Sequence, residues 1–173
     1  MIDMHGTLGA VFVDAKAGLW PAWAIHTLET VRSIVLSCLQ ARVFDGKPLV
    51  DHAALHAYLT AELAYRPQEE VWGIFLDTDL RAVSQHCFSI GGYTMARIEP
   101  RQVIRCALLA NAAGVILVHN HPGGRRQFSM ADVATTRLMI DVLGPLCVTV
   151  HEHILITRSG CLSMRQSNPE LWP

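Results

Sequence analysis

The sequence has no strong excess of charge of either sign. Its 14 lysine and arginine residues nearly balance its 15 aspartate and glutamate residues, which gives a formal net charge of −1 with neutral histidines. The basic residues are scattered, and the adjacent pair Arg125-Arg126 belongs to no longer run. Nucleic-acid-binding domains usually carry a basic face or stripe. We therefore expect that nucleic acid is not a partner of this chain.

The sequence also lacks long hydrophobic runs and paired cysteines, and its first residues argue against a signal peptide. No apolar stretch approaches the ~20 residues that span a bilayer, and residues 1–13 contain no basic segment followed by an apolar one. The five cysteines are far apart in the sequence and form no Cys-x-x-Cys pattern, which argues against a disulfide framework. These absences predict a cytoplasmic protein that has no membrane contact.

What the sequence does contain is enough apolar material for a large core. Hydrophobic residues make up 51% of the 173 residues and charged residues only 17%. A chain of this length buries roughly two-thirds of the surface that its unfolded form exposes. We therefore expect a fold that does not need a metal to hold it together.

Helical spacing of apolar residues predicts two helices in the first part of the chain. The first covers residues 20–43, opens near Pro21, and has one apolar face made of Ile25, Leu28, Val31, Ile34, Val35, Leu39 and Val43. The second covers about residues 51–65 and ends before Pro67.

Short apolar runs later in the chain predict β-strands that alternate with helices. The predicted strands are residues 71–76, an antiparallel return over 80–90, 115–118, 147–150 and 153–157. One further helix is predicted from Pro100 to a stop at Gly114, and another from Ser129 to Leu143.

A His-x-His pattern follows the predicted strand 115–118. Side chains at positions i and i+2 of an extended chain point to the same side, so His119 and His121 point together. Catalytic zinc takes three protein ligands, with imidazole nitrogens at about 2.0–2.1 Å. Asp132 is the natural third ligand, because the glycine-containing loop 122–128 can fold back toward the strand end.

Ser129 and Asp132 also have a simpler interpretation. A serine three residues before an acidic residue, at the start of an apolar helical pattern, is typical of a helix capping box and needs no catalysis. A His-x-His pattern alone is also a weak signal. The complete spacing is more specific: His-x-His, seven residues, Ser, two residues, Asp.

With this spacing the chain resembles the JAB/MPN/JAMM metalloprotease domain, and in particular the RadC family. The RadC likeness covers roughly residues 49–163 and is carried by Pro100-Arg101, Asn111-Ala112-Ala113, Val118-His119-Asn120-His121-Pro122 and Glu152-His153-Ile154. The resemblance implies an α/β fold, a mixed β-sheet flanked by helices that is similar to cytidine deaminase. We expect an N-terminal helical segment over residues 1–48 and a RadC-like JAB/MPN domain over residues 49–173.

The resemblance further implies one Zn²⁺ per chain, held by His119, His121 and Asp132. It also implies an upstream glutamate that takes a proton from the attacking water. Counting back from Leu76-Asp77, the matching position is Glu69, and Glu70 is the alternative if the strand carries a bulge.

Three more residues receive expected roles from the resemblance. Ser129 would donate a hydrogen bond to the oxygen that becomes negatively charged during hydrolysis. His153 matches a family position and, like Asn120, is expected to support the ligands or the fold. Asn120 between the two histidines favours the bacterial RadC branch over the eukaryotic deubiquitinases, which usually have serine or threonine there.

The implied activity is that of an isopeptidase or peptidase acting after the C-terminal tail of a ubiquitin-like protein. The alternative is a DNA-repair-associated role, as the RadC name suggests. The chain departs from the RadC pattern by lacking a helix-hairpin-helix signature, and by reading Pro100-Arg101-Gln102 for Pro-Arg-Glu and Pro122-Gly123-Gly124 for Pro-Ser-Gly. A catalytically inactive MPN module would be expected to have lost a ligand, and here all three are present.

Overall fold

Two helices precede the sheet. The computed structural model describes Val11 and residues 20–49, 52–90 and 98–172. Helix α1 spans Ala22–Val43 and helix α2 spans His52–Leu63. Pro21 is the extended N-cap residue of α1, a position where its fixed φ and missing amide proton cost little. Both predicted helices are confirmed, although Asp51, the predicted start of the second, lies outside the described residues.

The predicted apolar face of α1 is not buried. Only Ala24 and Val43 are buried in this helix, whereas Val31, Ile34 and Val35 are 42%, 58% and 39% exposed. The helix packs mainly against α2. Contact with a single helix covers only a narrow stripe, so most of the predicted apolar face of α1 stays at least partly exposed in the described structure.

Five strands form one sheet in the order β2-β1-β3-β4-β5. Strands β3 and β4 are parallel, and the other three neighbouring pairs are antiparallel. The sheet is therefore mixed, as the resemblance implied. The strands are β1 Glu70–Leu76, β2 Ala82–Ile90, β3 Gly114–Asn120, β4 Thr149–Thr157 and β5 Gly160–Ser163.

Helices cover both faces of the sheet. Because strand side chains alternate, Ile116 and Val118 of β3 point to a core shared with α2, and Val115 and Leu117 point to a second core. The second core contains residues of the two remaining long helices, α3 Pro100–Leu109 and α4 Met130–Leu143. The chain closes with a short helix, α5 Met164–Ser167, and the 3₁₀ turns Gly144–Leu146 and Pro169–Leu171 lie on either side of it in sequence.

Apart from shifts of one or two residues at element ends, three features of the fold differ from the prediction. Residues 147–150 and 153–157 were predicted as two strands, but one strand, β4, runs through them. A register shift opposite Val115 and Ile116 of β3 leaves His151 unpaired, and the strand continues with Glu152 paired to Ile116. Helix α3 ends at Leu109, and Gly114 begins β3 instead of ending the helix. Strand β5 was not predicted, because four half-buried residues are too few to show a period.

The cysteines are all free, as expected from their spacing: Cys38, Cys87, Cys106, Cys147 and Cys161. Within the part of the chain that the structure describes, no helix combines the length and the apolar character that crossing a membrane requires.

Candidate metal centre

The carboxyl end of β3 carries the two histidines of the His-x-His pattern. Strand β3 lies between β1 and β4, and every one of its residues is buried. His119 is 1% exposed within the strand. His121 follows the strand, and its amide still donates to the carbonyl oxygen of Ile156 at 3.0 Å. The extended chain thus continues through both histidines, and their imidazole rings lie with centroids 4.9 Å apart.

Asp132 is brought to the histidines by helix α4. Parallel strands need a crossover connection, and α4 lies in the segment that joins β3 to β4. Ser129 is the N-cap of this helix, and its side chain accepts from the Asp132 amide at 3.2 Å. In return, Asp132 Oδ2 accepts from the Ser129 amide at 2.6 Å. The capping box is therefore present, and it fixes the carboxylate at the start of the helix.

The three side chains form a compact group of potential ligands. His119 Nε2 lies 3.2 Å from His121 Nε2 and 3.6 Å from Asp132 Oδ1. His121 Nε2 lies 3.8 Å from Asp132 Oδ2. Ligand atoms placed tetrahedrally at 2.0–2.1 Å from one ion are about 3.3 Å from one another. The spacing of the group therefore fits a single metal ion, and the group was identified from sequence.

The hydrogen bond of His121 Nδ1 determines the tautomer of this ring. His121 Nδ1 lies 2.9 Å from the carbonyl oxygen of Arg125. A carbonyl oxygen only accepts, so Nδ1 carries the proton and donates it. In the neutral ring the lone pair is then on Nε2, which points toward His119 and Asp132.

The environment keeps Asp132 ionised. Partial burial opposes its charge, but the neighbouring His119 ring and the two hydrogen bonds from Ser129 lower the pKa of Asp132 well below its ordinary value. His153 is held in the other protonation state, because complete burial lowers its pKa well below the usual range and favours the neutral ring. One carboxylate and neutral imidazoles are common donors to zinc.

The Ser129 hydroxyl is occupied in this structure. Its Oγ donates to Asp132 Oδ2 at 2.7 Å while it accepts from the Asp132 amide. The contacts of Ser129 are therefore those of the capping interpretation. Its role toward a reacting oxygen stays a prediction.

The strand register separates the two candidate glutamates. Val71 of β1 is paired with His119 of β3, and paired residues point to the same face of a sheet. Successive residues alternate, and continuing this alternation one residue back from β1 predicts that half-buried Glu69 shares the face of His119 and His121. Glu70 belongs to the opposite face.

The contacts of Glu70 agree with that assignment. Its side chain accepts from Trp72 Nε1 at 3.0 Å and lies 3.7 Å from Arg66 Nε. The bulge that made Glu70 the alternative base does exist, between Val71 and Trp72, but it interrupts the pairing with β2 and not the pairing with β3.

Asn120 holds the main chain on both sides of Glu69. Its Oδ1 accepts from the Glu70 amide at 2.8 Å, and its Nδ2 donates to the Gln68 carbonyl oxygen at 3.1 Å. Asn120 is 1% exposed. The residue between the two histidines thus ties the end of β3 to the segment that carries Glu69.

Two residues beside the histidines were not identified from the sequence. Thr136 Oγ1 lies 2.6 Å from His153 Nδ1, and the ring of Phe128 lies 5.9 Å from His119 and 5.8 Å from His153, measured between centroids. Thr136 follows Asp132 by four residues, so helical periodicity alone places both on one face of α4. That spacing is the signal that would have identified Thr136, whereas Phe128 shows no such pattern.

A mixed sheet flanked by helices, with a His-His-Asp group at the carboxyl end of its central strand, defines a domain of the JAB/MPN class. The RadC-like JAB domain family matches residues 49–169. A UPF0758 protein of Psychromonas ingrahamii is 31% identical over 173 aligned residues, and one of Marinobacter nauticus is 36% identical over 171. Each alignment covers 96% of this chain and 76% of the relative. The chain belongs to the RadC family. Its division at residue 48 stays a prediction.

Proposed function

We propose that this protein is a zinc-dependent hydrolase whose ion is held by His119, His121 and Asp132. The observation that carries the proposal is the group of potential ligand atoms: two imidazole nitrogens 3.2 Å apart, with one Asp132 oxygen 3.6 Å from His119 and the other 3.8 Å from His121. Three protein ligands with a remaining open position are typical of catalytic zinc. When bound, zinc lowers the pKa of a coordinated water toward ~7 and polarises a carbonyl oxygen.

In the proposed reaction, Glu69 is the general base. It takes a proton from the attacking water and returns it to the departing amine, so that the carboxylate is regenerated. Its support is the strand register, which gives Glu69 the same face as His119 and His121. Ser129 would donate to the oxygen that becomes negative, for which its hydroxyl must turn away from Asp132.

The proposed substrate is a peptide or isopeptide bond after the extended C-terminal tail of a ubiquitin-like protein. Strand β2 is an edge strand of the sheet in the described structure. Its last residue, Ile90, is paired with Glu70, so the edge ends at the same end of the sheet as the candidate centre. An extended tail can add to such an edge through main-chain hydrogen bonds. We place the protein in the cytoplasm, where its five free cysteines would stay reduced.

Two measurements on the purified chain test the proposal. Elemental analysis after zinc reconstitution and dialysis should give about one zinc per chain. A panel of ubiquitin-like proteins that carry a fluorogenic amide on the C-terminal glycine should then be cleaved, with activity lost on chelation and restored by zinc. A folded protein that takes up no zinc would overturn the metal assignment.

The same preparation separates the competing function. If the zinc-loaded chain leaves every probe intact but binds double-stranded DNA in fluorescence anisotropy at physiological salt, the isopeptidase proposal is wrong and the DNA-associated alternative is favoured. Cleavage of a probe without measurable DNA binding is the expected result, since the chain carries a net charge of only −1.

A further inference from the structure

Three buried side chains form a continuous chain of hydrogen bonds behind the candidate centre. His119 Nδ1 lies 2.8 Å from His153 Nε2, and His153 Nδ1 lies 2.6 Å from Thr136 Oγ1. Thr136 Oγ1 in turn lies 2.7 Å from the main-chain oxygen of Asp132. His119, Thr136 and His153 are at most 3% exposed, so bulk water offers them no other partner. These hydrogen bonds link His119 to Asp132, the two outermost of the proposed ligand residues in sequence, and they join β3, β4 and α4.

The chemistry of the end groups fixes the direction of every bond. The Asp132 carbonyl oxygen can only accept, so the Thr136 hydroxyl donates its single proton there. That hydroxyl has only lone pairs left, which makes His153 Nδ1 the donor of the next bond. A neutral imidazole has one N–H, so His153 Nε2 accepts, and His119 Nδ1 is the donor to it.

We infer that Thr136, acting through His153, is a positioning residue that sets the tautomer of His119 and thereby directs its Nε2 lone pair into the candidate metal centre. His121 reaches the same tautomer through one bond to the Arg125 carbonyl oxygen. Two lone pairs thus face each other across 3.2 Å beside a carboxylate, an arrangement that a cation stabilises.

The opposite bond direction would have two costs. It would leave the Thr136 and Asp132 oxygens 2.7 Å apart with no proton between them. It would also put the proton of His119 on Nε2, where it would occupy the position proposed for the metal. The inference rests on the proposed metal site for its function, but the tautomer of His153 is a property of the metal-free protein as well.

Nuclear magnetic resonance measures the tautomers directly. Long-range proton–nitrogen correlation spectra of ¹⁵N-labelled protein in mildly alkaline buffer distinguish Nδ1–H from Nε2–H rings. His153 should be the Nδ1–H tautomer both without metal and after zinc addition. A metal-free protein in which His153 carries its proton on Nε2 would overturn the inference, whether or not the protein hydrolyses anything.

A matched set of variants tests the role of the hydroxyl. In Thr136→Val, His153 should lose its preference for the Nδ1–H form, and zinc affinity in competition with a chromophoric chelator should fall roughly 10–100-fold. Thr136→Ser should restore both properties. Thr135→Val, one residue away on the same helix and outside this chain of bonds, should bind zinc as the unaltered protein does. Unchanged affinity and an unchanged His153 tautomer in Thr136→Val would show that the hydroxyl sets neither.

These results separate the inference from the proposed function. Correct tautomers and zinc binding without cleavage of any probe would remove the isopeptidase proposal and leave the role of Thr136 intact. Normal cleavage by Thr136→Val, with an unchanged His153 tautomer, would support the isopeptidase proposal and show that Thr136 has no positioning role.

Discussion

Both faces of the sheet bury ionisable groups, but the two faces treat them differently. On the face covered by α2, the carboxylates of Glu62 and Glu70 are 8% and 5% exposed as whole residues, and each has a cationic partner. Arg66 contacts both carboxylates, and Arg32 lies 3.8 Å from Glu62. Trp72 adds an N–H donor. Each of these two carboxylates therefore has a donor or a cation supplied by the protein itself.

The face covered by α3 and α4 has a surplus of acceptors. The directed hydrogen bonds leave the Nε2 lone pairs of His119 and His121 facing each other, next to ionised Asp132. Ser129 supplies donors only to one carboxylate oxygen. Burial of charge alone therefore does not indicate a functional site. A compact group of acceptors with too few donors from the protein does, because such a group favours a cation from outside the chain.

The largest expected effect is the loss of zinc when a proposed ligand is removed, and it tests whether the two faces differ. His121→Ala should reduce bound zinc from about one per chain toward zero, because the group loses one of three ligands, while circular dichroism stays that of a folded protein. Glu62→Gln, on the opposite face, is the control. It should keep its zinc but lose about 1–3 kcal/mol of unfolding free energy, since the arginines beside it are only partly buried. Zinc loss from both variants would mean that the two faces are not independent.

The two neighbouring glutamates test the faces most closely. Glu69→Gln should keep zinc and lose roughly 10²–10⁴ in kcat, because an amide cannot accept the proton of the attacking water. Glu70→Gln should keep kcat and lose about 1–3 kcal/mol of stability through its weakened bonds to Trp72 and Arg66. Steady-state kinetics and chemical denaturation of both variants check this, and exchanged phenotypes would show that the base lies on the other face.

Ser129 tests whether one donor serves both the helix and the reaction. Ser129→Asn keeps a good N-cap, so its melting temperature should stay close to that of the unaltered protein, whereas Ser129→Ala should lose ~1 kcal/mol. If the hydroxyl also stabilises the reacting oxygen, the asparagine variant should lose roughly 10²–10³ in kcat. Near-normal turnover by Ser129→Asn would leave the residue as a cap only.

Asn120 tests whether one face of the sheet supports the other, because its side chain lies on the face opposite the histidines and is bonded to the main chain beside Glu69. Asn120→Ala removes both bonds that flank Glu69 and should lower kcat by up to roughly 10²-fold through misplacement of the base, with zinc retained. In a Glu69→Gln background the same change should cost little more, which a double-mutant cycle measures. Independent, additive losses would mean that Asn120 does not act through Glu69.

Much of this molecule could be predicted from sequence because its signals are local. The buried run 71–76, the strand that delivers His119, and Ser129 at the start of α4 each depend on neighbouring residues, and each is found as expected. The three potential ligands lie within residues 119–132, so their spacing carries the information.

What could not be predicted depends on contacts between distant parts of the chain. Strand β4 is continuous because a bulge opposite Val115 and Ile116 accommodates His151 without ending the strand. The apolar positions of α1 predict a helix, but they do not predict how much of its apolar face other elements will cover. The face of Glu69 follows only once Val71 is known to pair with His119.

The hydrogen bonds that run from His119 through His153 and Thr136 to Asp132 have a consequence for interpreting other sequences. The ligands come from one contiguous stretch, whereas the residues that orient them come from the middle of a helix and from another strand. A search for the contiguous stretch alone will therefore also retrieve chains in which the same three side chains are present but misdirected. Requiring a threonine four positions after the aspartate, and a histidine on the neighbouring strand, should separate chains that retain a metal from those that merely carry the pattern.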